Sequence, residues 1–233
     1  MKNYNTTRLV ITIALLVIAL AFFLVKVVFK KKPITTKFIT RTAIFSAISI
    51  LLYIVPGLKF PLPFFPSFLE LHFDEVPLFI AGFAYGPWSA VFALVIKTLV
   101  KLPVSNTMMV GEIADFIYSL AFIVPATIIY RHKRNFKGVF IGLGVGLIIQ
   151  LLVSSFVTTF VMLDFYMNMM GLPKVAIWGA IQKAGINITS LDWPFLFAVA
   201  LPFNLFKDVI IILITLLLYK RVHHLVEKVE FKA

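Results

Sequence analysis

Residues 138–163, "GVFIGLGVGLIIQLLVSSFVTTFVML", contain no ionisable side chain. No other feature limits the fold as much. About 20 consecutive apolar residues cross the hydrocarbon layer of a bilayer as a helix. Comparable runs occupy residues 9–29, 39–55, 77–101, 111–130 and 195–219. The run at 77–101 is interrupted by Gly86-Pro87, and its halves are short, so it reads as two helices joined by a tight turn. The expected fold is an all-α integral membrane protein with a six-helix core and one extra N-terminal transmembrane helix. Composition agrees: 61% of residues are hydrophobic and 14% charged, where a soluble domain carries roughly a quarter charged.

Three segments follow. Residues 1–33 form the extra helix and its basic flank, 34–225 the membrane core, and 226–233 a tail. The first span reads as a retained helix, because it is long for a signal peptide and no small-x-small cleavage site precedes Lys30-Lys31-Lys32.

The net charge of +12 reflects topology, and no nucleic acid partner is expected. Basic residues collect at the ends of apolar runs, as in cytoplasmic loops. Lys30, Lys31, Lys32, Lys37 and Arg41 lie between the first two spans. Arg131, Lys133, Arg134 and Lys137 follow "ATIIY", and Lys220, Arg221, Lys228 and Lys232 end the chain. These segments share a side if Tyr85–Trp88 is a cytoplasmic turn. The N-terminus is then outside, the C-terminus is cytoplasmic, and segments 59–73, 102–110 and 164–194 face outward.

The polar residues in this apolar chain are the candidate site. Glu112 and Asp115, in "GEIADF", share a helix face at a spacing of three. They fit either the positive end of the helix dipole or the mouth of a binding cavity. Asn204, Lys207 and Asp208, in "LPFNLFKDVII", share a face within an apolar span. Charges there cost roughly 2.5–3.5 kcal/mol each on insertion scales and turn inward to a partner. Ligand contact is the expected use, and a lysine–carboxylate pair is the structural one. Lys97 is expected to snorkel outward beside Lys101, with an inward position towards Glu112 as the alternative. Asp74 and Glu75 precede Pro77 and are expected to serve the helix dipole. The prolines and rings of "LKFPLPFFPSF" suit a lid. Gly138, Gly142 and Gly146 share a spacing of four, as do Ala43 and Ala47, so both stripes allow close helix approach.

No phosphate loop, H-E-x-x-H or G-x-S-x-G pattern occurs, so neither ATP hydrolysis nor a familiar hydrolase is expected of this chain. There is no cysteine, and the histidines form no ligand cluster. No catalytic residue, metal site or cofactor is expected.

In order and spacing, "FPLPFFPSFLELHFDEVPLFIAGFAYGP", "GEIADF", "YRHKRNFKG", "PFNLFK" and "LLLYKRV" resemble the substrate-binding S components of energy-coupling factor (ECF) vitamin importers. The resemblance covers about residues 36–225 and is greatest to the riboflavin-specific group. It implies a six-helix membrane protein that binds a vitamin near its outer face at high affinity. It also implies a transmembrane coupling protein, docked on the Ala43/Ala47 stripe, and two cytoplasmic ATPases. By the resemblance Asn204 and Lys207 contact the vitamin, with Glu112 and Asp115 adjacent, Phe68 and Phe73 in the lid, and Thr158 where the group usually has an asparagine. Asp115 replaces an expected amide, and Asp208 a common glycine. Another small vitamin, such as a form of vitamin B6, is the alternative within the class. An intramembrane enzyme using Glu112, Asp115 and Asp208 is the alternative outside it, and a purely structural membrane subunit is a further one.

Overall fold

The computed structural model describes residues 35–230, with side chains as far as residue 221. The extra N-terminal helix and the end of the tail lie outside the described residues. Helix α1, Thr36–Ile54, is capped by the Thr35 hydroxyl, which accepts from Phe38 N–H at 3.2 Å. It buries Thr42, Ser46 and Ser49 and turns Ala43, Ile44, Ala47 and Ile48 outward. Hydroxyls inward and hydrocarbon outward is the arrangement that lipid selects, because buried small polar residues tie helices together. Thr42 and Ser89 hydroxyls meet at 3.0 Å, and Ser49 donates to the Asp74 carbonyl at 2.7 Å.

A short antiparallel hairpin follows, β1 (Phe60–Pro61) on β2 (Glu70–Leu71). Helix α2, Glu75–Tyr85, is buried from Glu75 to Ala84. At 1.5 Å per residue its length is about 16 Å, too short to span a bilayer alone. It forms the centre of the bundle. Gly86 has φ +96°, a conformation other residues rarely adopt, and Pro87 opens α3, Pro87–Lys101. Helix α4 is Val110–His132, and α5 is Phe136–Asn168 with a π turn at Thr158–Met162. A short helix α6, Lys174–Lys183, lies over the bundle end. Helix α7 opens with Trp193–Phe195, passes through a π turn at Leu196–Ala200, and continues as Leu201–Glu230. α1, α4, α5, α7, and α3 together with the 3-10 turn Leu102–Val104 that continues it, are long and apolar enough to cross a membrane.

The segment 164–194, expected to face outward, is largely helical. α5 runs on to Asn168, and α6 packs Ile177 and Ile181 against Leu163 and Phe195. Two buried positions in ten residues make a stripe too narrow to stand out in the sequence.

The glycine stripe of α5 packs within the chain. A Cβ on Gly142 would stand 2.5 Å from the Ala126 carbonyl oxygen, and one on Gly146 2.5 Å from that of Phe122. Gly142→Val is therefore expected to cost about 1–3 kcal/mol through overpacking. Gly144→Ala, where a Cβ meets nothing within 4 Å, is expected to leave stability unchanged. Thermal unfolding in detergent measures both, and equal midpoints for the two variants would refute the close-packing account.

Candidate functional site

The bundle end that carries the hairpin holds a cavity of about 320 Å³. The three segments expected to share the outer side all border this end. α1 contributes Tyr53, the hairpin segment Phe68, Glu70 and His72, and α4 Glu112, Asp115 and Tyr118. α5 adds Thr158 and Tyr166, and α7 adds Phe203, Asn204 and Lys207. A second cavity of about 360 Å³ shares Phe68, Asn106, Thr107, Leu163 and Tyr166 with it and extends under α6 along Met170, Leu172, Ala176 and Ile177.

Local structure explains how each group reaches the cavity. Extended backbone alternates its side chains. Glu70 and His72 therefore line the cavity, while Leu71 and Phe73 join apolar clusters on the other face. Phe73, expected in the lid, lies outside the lining and packs against Phe60 at 6.3 Å between ring centroids. Phe68 does border the cavity and stacks on Phe195 at 6.5 Å. Thr158 opens the π turn of α5, a widened helix geometry that recurs at functional sites, and its hydroxyl meets the Tyr118 hydroxyl at 3.2 Å. The π turn of α7 ends two residues before Pro202, whose missing N–H breaks the regular helical ladder. Asn204 follows, and its Nδ2 donates to the Ala200 carbonyl at 2.8 Å and to Ser155 Oγ at 3.4 Å. The atom Asn204 offers a ligand is then Oδ1, an acceptor.

The charges form two buried networks. Lys97 is 1% exposed and points inward, contrary to the expected snorkelling. It bridges Asp74 and Asp115, meeting Asp115 Oδ2 at 2.8 Å. His72 closes the ring, with Nδ1 on Asp74 and Nε2 3.8 Å from Asp115 Oδ1. The Tyr53 ring covers this group, with its centroid 4.8 Å from Lys97 Nζ and 4.5 Å from Lys101 Nζ. In the second network, Glu75 Oε1 accepts from Ser119 at 3.0 Å and Oε2 faces Lys207 Nζ at 3.5 Å. Asp74 and Glu75 thus do more than serve a helix dipole. Both are fully buried, Asp74 makes no capping hydrogen bond, and the two anchor lysines from two different helices. A buried ammonium must be paired, and adjacent acids at the head of the central helix reach both neighbours.

Glu112 lines the cavity, but its Oε2 accepts from Ser105 at 2.5 Å and Thr107 at 2.8 Å, which secures the α3–α4 loop. Asp208, the third acid of the enzyme alternative, lies outside the lining. The cavity so presents an ammonium, carboxylates and an amide acceptor among tyrosine and phenylalanine rings. Such a site suits a planar, mostly apolar ligand with mixed donors and acceptors at its edge.

The family described as ECF transporter, substrate-specific component, matches residues 37–219. Riboflavin transporter RibU of Staphylococcus aureus (strain TCH60) is 28% identical over 189 residues, which cover 81% of this chain and 93% of that protein. Riboflavin transporter FmnP of Bacillus subtilis (strain 168) is 24% identical over 193 residues, covering 82% and 95%. The solved S component of a bacterial ECF transporter superposes with a TM-score of 0.61 at 30% identity, covering 81% of this chain and 96% of that one.

Proposed function

The chain belongs to the substrate-specific components of ECF transporters, and from that premise we propose that it binds riboflavin in the 320 Å³ cavity for import. The observation that carries this reading is that Lys207 and Asn204, one helical turn apart, line the same cavity as Asp115 and the side chains of Tyr53, Phe68, Tyr118, Tyr166 and Phe203. An isoalloxazine ring offers apolar faces to Tyr and Phe, and donors and acceptors at one edge to these polar groups. Relatives named as riboflavin transporters favour that vitamin over others of similar size.

The remaining steps follow from the family. Ala43 and Ala47 are exposed on α1 beside Ile44 and Ile48, which suits docking on a transmembrane coupling protein driven by two cytoplasmic ATPases. The cavity end faces outward, the basic α4–α5 turn faces the cytoplasm as positive residues do, and the C-terminus is cytoplasmic. The role is capture and hand-over, with no chemistry on the ligand.

Identification of the ligand that co-purifies, by native mass spectrometry, tests the proposal. A flavin mass and quenching of riboflavin fluorescence on titration are expected. A different vitamin, with no quenching, would overturn the riboflavin assignment. Asn204→Ala removes one hydrogen-bonding amide and is expected to weaken binding about 2- to 10-fold, the worth of roughly 0.5–1.5 kcal/mol. An unchanged dissociation constant would remove Asn204 from the ligand's contacts.

A further inference from the structure

Beside the cavity lies an acid that ligand binding does not use. Asp208 is 0% exposed, and neither of its carboxyl oxygens has a hydrogen-bond partner among the described residues. The charges acting on it are Lys207 and Glu75. Glu75 is equally buried, and its Oε2, 3.5 Å from Lys207 Nζ, has no hydrogen bond among the described residues. Two buried carboxyl groups therefore lie near one ammonium, and only Glu75 meets it directly.

With both acids ionised, the group would hold a net negative charge in a dry interior. An uncompensated buried carboxylate is costly enough that the group takes up a proton instead. Among the described residues the surrounding elements provide no second cation. From α2 the ionisable group is Glu75 itself. The buried polar residues of α5 are Gln150, Ser154 and Ser155, and none of them ionises. Lys97 of α3 is committed to Asp74 and Asp115, which His72 also faces. The other charges that reach Lys207, Asp115 and Asp74, are negative as well.

We propose that Glu75, Lys207 and Asp208 form a proton-binding site in the wall of the bundle, with the proton on the Asp208 carboxyl. The division between the acids follows from their contacts. Glu75 has a hydrogen bond from Ser119 and the direct approach of Lys207, and Asp208 has neither. The proton comes from water and returns to it. With it in place the group is neutral: one ion pair and one neutral acid.

Infrared spectroscopy of the purified full-length protein, in light and heavy water at neutral pH, tests this without any ligand. The wild type is expected to show the carbonyl band of a protonated carboxyl group, shifted down in heavy water. The band is expected to vanish in Asp208→Asn. It is also expected to vanish in Glu75→Gln, where Lys207 loses its carboxylate and takes ionised Asp208 as counter-ion. A band that survives in Glu75→Gln would overturn the shared site, and one that survives in Asp208→Asn would overturn the assignment. A wild type without the band would overturn the whole proposal, and that measurement needs no variant to fold.

Discussion

Lys97→Met is expected to cost about 3–5 kcal/mol of stability, the loss typical when one partner of a buried ion pair is removed. Lys97 is 1% exposed and is the ammonium that Asp74 and Asp115 share. Its removal leaves two acids facing each other with His72 between them. Methionine keeps the length and apolar bulk of the lysine stem, so the lost charge dominates the effect. The triple variant Lys97→Met, Asp74→Asn, Asp115→Asn is expected to recover most of the loss, because neutral groups need no counter-ion. Thermal unfolding in detergent, with size exclusion as a check on folding, measures both. A single variant that melts with the wild type would show that the network does not hold the bundle together.

That lysine also shows where the sequence could be read and where it could not. Runs of apolar residues located the membrane core, because hydrophobicity and length alone decide what crosses a bilayer. Glu112, Asp115, Asn204 and Lys207 stood out because polar groups are rare in such runs, and all four line the cavity. The partners of each charge were not legible, since Asp74 and Lys97 lie 23 residues apart and meet only through the packing of α2 on α3. One signal was available for Lys97: Ala90, Ala93, Leu94 and Lys97 follow a helical period and are all buried. Its position near the end of the apolar run favours snorkelling instead. Phe73 lies off the lining for a different reason. A lid composition says which residues sit near a site, but the two-residue alternation of the hairpin decides which of them face it.

Lys207→Met is expected to weaken riboflavin binding by about 2–5 kcal/mol, roughly 30- to 5,000-fold, the range for truncating a buried charged partner. Other ammonium groups at the cavity are otherwise engaged: Lys59 pairs with Glu70 at 2.7 Å, and Lys101 lies over the Tyr53 ring. Lys207 is 3% exposed, so an acceptor that reaches it is shielded from water and interacts strongly. The single variant alone confounds two effects, because it also strands Glu75 beside Ser119. The pair Lys207→Met, Glu75→Gln separates them. Removing both charges restores electrical balance, so the unfolding midpoint is expected to return towards that of the wild type. Binding is expected to stay weak, since the donor to the ligand is still missing. If the double variant instead binds riboflavin as tightly as the wild type, Lys207 serves to neutralise Glu75, and ligand recognition rests on Asn204 and the aromatic walls.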